Sequence, residues 1–185
     1  MTLFLILCLY AVLTLIWFVC FIGLLFMTYG IITTRVPFVP IPQYVVEEVK
    51  KAIPLKAGDV FYDLGSGDGR VIATIGAAYP GAFAIGVEKA PLPYTLTHIR
   101  FWLKPLKNVK TLFKNFSRVP LNDATHIYMY LFPDVVQNLL QKFTAELKPG
   151  TRVVSCDFPF KTKEPTEKIV VGEGRHKHTL YMYEF

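Results

Sequence analysis

The run Val60-Phe61-Tyr62-Asp63-Leu64-Gly65-Ser66-Gly67-Asp68-Gly69-Arg70 constrains this chain more than any other segment. Its first residues are apolar and suited to a strand, and the stretch from Arg70 to Tyr79 has helical spacing. Three glycines lie between them, alternating with Ser66 and Asp68. A residue without a Cβ lets the backbone turn tightly and approach a ligand closely. The free amides at the following helix start then face a polar or anionic group.

The dinucleotide fingerprint, G-x-G-x-x-G, ends on a glycine that packs helix on strand and seats a pyrophosphate. In this chain the spacing is G-x-G-x-G, and Arg70 stands where that last glycine belongs. Asp63 also closes the strand just before the turn. A carboxylate there repels pyrophosphate and suits a cationic ligand, such as the amino group of S-adenosylmethionine. Glu88 follows the next strand at about 20 residues, a distance from which an acid accepts hydrogen bonds from both ribose hydroxyls. Asp63, Gly65, Ser66, Gly67, Asp68, Gly69 and Glu88 are therefore the candidate cofactor residues. For Asp68, local satisfaction of the turn's amides is as good a reading as ligand contact.

Around this motif, short apolar runs alternate with helical patterns. Strands are predicted at Val60–Asp63, Ala82–Val87, Val109–Phe113, His126–Leu131 and Arg152–Cys156, and helices at Arg70–Tyr79, Leu92–Leu103 and Asp134–Leu147. A βαβαβ succession implies a parallel sheet covered by helices. The tail differs, because Lys168–Val171 and Thr179–Tyr183 are joined by Gly172-Glu173-Gly174-Arg175, a hairpin signal.

Residues 1–34 carry no charged side chain, and the 20 Lys and Arg and 14 Asp and Glu all lie from Arg35 onward. The apolar run exceeds the roughly 20 residues that a spanning helix needs. It lacks the basic start and small-residue cleavage site of a signal peptide, the competing reading. Residues 1–34 are read as a transmembrane anchor with residues 3–29 in the bilayer, 35–53 as a proline-rich strap and first helix, and 54–185 as the catalytic domain. Arg35, Lys50 and Lys51 follow the run and no basic residue precedes it, which puts the domain on the cytoplasmic side. That side is the bacterial cytoplasm, or the matrix face of a mitochondrial inner membrane. The net charge of +6 is scattered and accompanied by no nucleic-acid motif, so no nucleic-acid partner is expected. Cys8, Cys20 and Cys156 are read as reduced, buried thiols. No metal is expected, and His176 and His178 are read as a solvated strand face.

The Asp-x-Gly-x-Gly-x-Gly run and the acid closing strand two resemble the class I S-adenosylmethionine-dependent methyltransferases. The resemblance implies a Rossmann-like α/β fold, a mostly parallel sheet with an antiparallel C-terminal hairpin, here preceded by one transmembrane helix. In that family an acid after strand three often touches the adenine. Its place is taken here by Asn115-Phe116, where Asn115 can hydrogen-bond and Phe116 can stack.

Pro37-Phe38-Val39-Pro40, Tyr128-Met129-Tyr130-Leu131-Phe132-Pro133 and Ser155-Cys156-Asp157-Phe158-Pro159 are similar to a narrower family of protein lysine methyltransferases. Its members include mitochondrial enzymes acting on the ATP synthase c-subunit and the adenine nucleotide translocase, with prokaryotic relatives. The resemblance implies a lysine acceptor on a membrane-associated protein. Tyr130 would then line the acceptor pocket, and Asp157 would hold the acceptor or take its proton. A lipid or isoprenoid acceptor, and cofactor binding without turnover, stay open as alternatives. Asp63 and Arg70 disfavour a nicotinamide oxidoreductase.

Overall fold

The computed structural model describes residues 1–34 and 38–185. Helix α1 (Thr2–Thr34) is uncharged. Its stretch Thr2–Phe26 has a mean hydropathy of 2.8 and, by length and composition, is long and apolar enough to cross a membrane. Cys8 and Cys20, expected to be buried, are exposed on this helix, and Cys156 is buried. Arg35, Val36 and Pro37 of the expected strap lie outside the described residues. Phe38 to Ile41 are non-helical, and the extended Pro42 precedes α2 (Gln43–Ala52). Val45, Val46 and Val49 form the buried stripe of α2.

The remaining elements follow the βα alternation: β1 (Val60–Leu64), α3 (Arg70–Ala78), β2 (Phe83–Glu88), α4 (Pro91–Leu103), β3 (Val109–Phe113), β4 (His126–Met129), α5 (Pro133–Glu146), β5 (Arg152–Cys156), β6 (Glu167–Val171) and β7 (His178–Glu184). They build a seven-stranded sheet in the order β3-β2-β1-β4-β5-β7-β6. The first five strands are parallel, and β7 runs antiparallel to both β5 and β6.

Alternation along the strands divides the core in two. Phe61, Tyr128, Val154 and Cys156 face the α2–α3 layer. Tyr62, Leu64, Ile127, Met129 and Val153 face the α5 layer. The order reverses between β1 and β4, where Asp63 lies opposite Tyr128. In an open α/β sheet, the crevice at the strand ends beside such a reversal is where ligands bind.

Element boundaries differ from expectation where prolines act. α4 and α5 begin at Pro91 and Pro133, because proline suits the first turn of a helix. That early start of α5 ends β4 at Met129 rather than Leu131 and leaves Tyr130 in the connection. The final hairpin is joined by residues 172–177, which contain a 3₁₀ turn, rather than by a tight four-residue link.

Candidate active site

The glycine turn is fixed largely by β2 and α4. The Gly65 and Ser66 amides donate to the Val87 carbonyl at 2.8 and 3.1 Å, and the Gly67 amide donates to Glu88 Oε2 at 3.0 Å. From α4, Thr97 Oγ1 donates to the Gly67 carbonyl at 2.7 Å, and Arg100 Nε donates to the Asp68 carbonyl at 2.8 Å. Gly67 has φ +54°, and a Cβ there would sit 2.4 Å from a ring carbon of Phe38. The backbone therefore passes directly under the strap, where only glycine fits.

Above the turn is a cavity of about 250 Å³. Asp63, the glycine turn and Glu88 line one half, and Tyr130, Phe132 and Phe158 line the other. Phe38 to Ile41 of the strap form part of its wall. Arg70 secures that wall by donating from Nη1 to the Ile41 carbonyl at 2.7 Å.

The three acids differ sharply. Glu88 Oε1 accepts from the Lys89 and Ala90 amides at 2.8 and 2.7 Å, while Oε2 takes Gly67. Asp68 binds Arg70 and Arg100 through its carboxylate. Burial alone would raise its pKa, but the hydrogen bonds and charges of the two arginines bring it below the ordinary value. Asp63 is 2% exposed, and its Oδ2 is buried without a hydrogen-bond partner. Burial first, then the nearby charges of Glu88 and Asp68, push its pKa well above the ordinary carboxylate range. An unpaired buried carboxyl facing two other acids calls for a cation.

The second half of the cavity is aromatic. Phe158 stacks with Tyr130 and with Phe132, at centroid distances of 6.5 and 6.2 Å. Ser155 Oγ donates to the Phe158 carbonyl at 2.6 Å and holds that loop. Asp157 adopts φ +65°. Its Oδ2 pairs with His178 Nδ1 at 2.8 Å, and its Oδ1 accepts from the Thr179 amide at 2.9 Å. The His178 ring meets Tyr130 edge-on at 6.2 Å. Burial, then the Asp157 charge, pushes the Tyr130 hydroxyl up to about 12. The Tyr128 hydroxyl is buried without a hydrogen-bond partner, and its pKa is also raised, by burial, then Cys156 and Asp63.

The ANTKMT methyltransferase domain matches residues 63–167, more than half of the chain. The chain belongs to this family. It is an S-adenosylmethionine-dependent enzyme of a protein-lysine methyltransferase family. A protein-lysine N-methyltransferase of Saccharolobus islandicus is 36% identical over 152 residues, covering 80% of this chain and 93% of that one. The human lysine N-methyltransferase named for the ATP synthase c-subunit is 30% identical over 150 residues. The match covers 80% of this chain but only 62% of the human enzyme. Among solved structures, an RNA methyltransferase from Salinibacter ruber bound to S-adenosyl-L-homocysteine superposes with a TM-score of 0.72 at 28% identity. That match covers 79% of this chain and 93% of the other.

The methyltransferase's residues fit its cofactor. The orphaned Asp63 oxygen and the cavity of about 250 Å³ between Asp63, Glu88 and the aromatic rings leave an unmatched carboxyl and space for a cationic, nucleoside-bearing molecule, while Leu131 and Phe38 pack directly on Gly65 and Gly67. Of the sequence-predicted residues, Asp63, Gly65, Ser66, Gly67, Asp68, Glu88, Phe116 and Tyr130 line the cavity. Gly69 lies beneath it, against Thr97.

Asn115 is placed beside the cavity rather than in its wall, and one expectation, for His178, needs correction. Asn115 opens on a neighbouring groove, and its Oδ1 caps the 3₁₀ turn Phe116–Arg118 by accepting from the Ser117 amide at 3.0 Å. That groove shares Lys89, Phe116 and Val135 with the cavity, and the cap engages only the amide oxygen of Asn115. His178 is not on a solvated face, since its side chain is only 16% exposed and paired with Asp157. The same fold gathers Cys156, Asp157 and His178 so that a donor atom of each lies within 4.8 Å of the others. Burial and the Asp157 charge push the Cys156 thiol far above its usual range, a poor start for a metal-binding thiolate.

Thr97, Arg100 and His178 were missed as site residues. Thr97 and Arg100 are two of the polar residues Thr95, Thr97, His98 and Arg100 of α4, and nothing in the sequence singles them out. For His178 there is no signal either, because its partner lies 21 residues away on another strand.

Proposed function

We propose that this enzyme methylates the side-chain amine of a lysine on a membrane-associated protein, with α1 spanning the bilayer and the catalytic domain on the cytoplasmic or matrix side. The observation that carries the reading is the unpaired, buried Asp63 carboxyl next to an aromatic half-cavity. The first suits the cofactor's cationic end, and the second suits an aliphatic amine chain and its methylated cation. Relatives named for lysine on the ATP synthase c-subunit support the acceptor. The uncharged, spanning-length α1 supports the setting.

In this reading Asp63 receives the cofactor's ammonium group and becomes ionised by it. Glu88 keeps one lone-pair site, on Oε2, beyond its three backbone bonds and accepts a ribose hydroxyl there. Phe116 packs on the adenine. The bound cofactor supplies an activated methyl group. The chain's own contribution is alignment and proton removal. Tyr130 and Phe158 align the acceptor chain. A free lysine has a pKa near 10.4, so its ammonium must shed a proton before the nitrogen lone pair is available. The Asp157–His178 pair borders Tyr130 without lining the cavity itself, and takes that proton by way of the Tyr130 hydroxyl, which passes one on as it receives one.

The test is incubation of native membranes with the full chain and methyl-labelled S-adenosylmethionine, followed by separation of protein, lipid and RNA. Label on lysine of a membrane protein is the expected outcome. Label recovered in lipid or RNA instead would overturn the acceptor assignment, and cofactor binding without any label would overturn the catalytic one.

A further inference from the structure

Helix α4 has a second face that the active site does not use. Its inner side supplies buried Pro93 and Thr97. On its outer side Leu96, Ile99, Trp102 and Leu103 are 41, 49, 82 and 66% exposed. At about 100° per residue these four fall within roughly 120° of the helix circumference, so they form one stripe. Phe113, at the end of the edge strand β3, is also exposed and meets the Tyr94 ring of α4 in a tilted contact at 4.9 Å. A soluble helix buries such a stripe, and a contiguous exposed one marks a surface that is covered in use.

The charge around the stripe is one-sided. Residues 89–122 contain seven Lys and Arg and no Asp or Glu, which exceeds the +6 net charge of the whole chain. The even scatter read from the whole sequence is therefore an average over an acidic-to-neutral remainder and one basic segment. Lys104, Lys107, Lys110 and Lys114 are exposed on α4's end, the following loop and β3. Finally, α1 packs against α4.

We infer that α4 and the β3 edge form an interfacial membrane-binding surface. Its apolar stripe sits at the headgroup–acyl boundary, and its lysines face anionic headgroups. This assignment rests on the reading of α1 as a bilayer-spanning helix and extends it, because α1 alone fixes the domain only at one point. Aliphatic side chains flanked by lysines suit an acyl boundary. A single-stranded nucleic-acid surface instead offers aromatic faces on which bases stack, and three of the four stripe residues are aliphatic. Docking on α4 would hold the site's mouth at a constant height over the membrane, within reach of a lysine near the bilayer surface.

The two tryptophans, Trp17 in α1 and Trp102 in α4, provide the test. The full chain is reconstituted as Trp102→Phe and as Trp17→Phe into vesicles of phosphatidylcholine with phosphatidylglycerol. Brominated lipid then quenches at chosen depths. Trp17 should be quenched by bromine near the bilayer centre. Trp102 emission should fall by about half with bromine close to the headgroup and little with central bromine. Lys104→Glu with Lys107→Glu and Lys110→Glu should reduce that quenching, with an unchanged circular dichroism spectrum.

Quenching of Trp17 without quenching of Trp102 overturns the α4 surface and leaves the anchor standing. Absence of both overturns the anchor and the surface together. Protection of Trp102 by an RNA oligonucleotide but not by lipid also overturns it, in favour of a nucleic-acid surface.

Discussion

On the β2 side of the cavity, the polar groups are held by the backbone or by arginines. Glu88 takes three main-chain amides, and Asp68 is clamped by Arg70 and Arg100. On the β5 side the walls are aromatic rings, and the polar groups come from distant strands: Asp157 from the end of β5 and His178 from the start of β7. The first half is a backbone-held cradle with one unmatched carboxyl. The second is a hydrophobic sleeve with a carboxylate–imidazole pair behind it. The contrast predicts that damage to the first half appears in cofactor affinity and damage to the second in turnover.

The largest effect should come from Asp63. Asp63→Asn keeps the shape and removes the charge, so calorimetry should show S-adenosylmethionine affinity falling at least about 100-fold. The ligand-free protein should respond in the opposite direction. Asp63 has a raised folded pKa. Its stabilising contribution is therefore complete below the unfolded value, near 3.9, and is lost as pH rises toward the folded pKa. At neutral pH the native carboxyl is a net cost that Asn removes. Denaturation at pH 7 should show the variant about 1–3 kcal/mol more stable without ligand, and the difference should vanish near pH 4. Equal affinity in the two proteins would break the division between the halves.

The next effect belongs to the other half. Asp157→Ala and His178→Ala should each slow single-turnover methyl transfer by about 10–100-fold, with cofactor affinity changed less than about twofold. If the pair accepts the acceptor's proton, raising the pH toward 10 should recover much of the lost rate, because free lysine then supplies its own neutral amine. A deficit that persists at high pH would reduce the pair to a structural support for the Phe158 loop.

The same contrast explains what was legible in the sequence. Asp63, the glycines and Glu88 belong to one βαβ unit, so spacing along the chain reports their proximity. Their burial and charge competition were not legible, because Tyr128 reaches Asp63 only through β1–β4 register. The sleeve is harder still. Asp157 could be placed at the sheet's rim from its position after a strand, yet His178 gave no signal, since antiparallel pairing of β5 with β7 brings it in. The strap's place over Gly67 was equally hidden, because proline content sets its stiffness and not its course.

Between the two extremes lies Arg100, which ties α4 to the cradle through the Asp68 carbonyl and carboxylate. Arg100→Ala leaves Arg70 as the remaining partner of Asp68. The loss should be a loosened turn rather than an exposed charge. S-adenosylmethionine affinity should weaken about 3–10-fold, measured by calorimetry, with the transfer rate at saturating cofactor nearly unchanged. A matching loss in turnover would mean that the cradle also sets the alignment of the acceptor.

The smallest effect separates two neighbours that the sequence could not tell apart. Asn115 spends its side chain on the Ser117 amide outside the cavity, whereas Phe116 lines the cavity itself. Asn115→Ala should cost about 0.5–1 kcal/mol of stability, through loss of the cap, and change cofactor affinity by less than about twofold. Phe116→Ala should weaken binding several-fold more than that, through lost contact with an apolar ring face. The Asn115 variant is the sharper of the two. An affinity loss larger than its stability loss would mean that the 3₁₀ turn rearranges when the cofactor enters, and that this part of the cradle is assembled by the ligand rather than prepared for it.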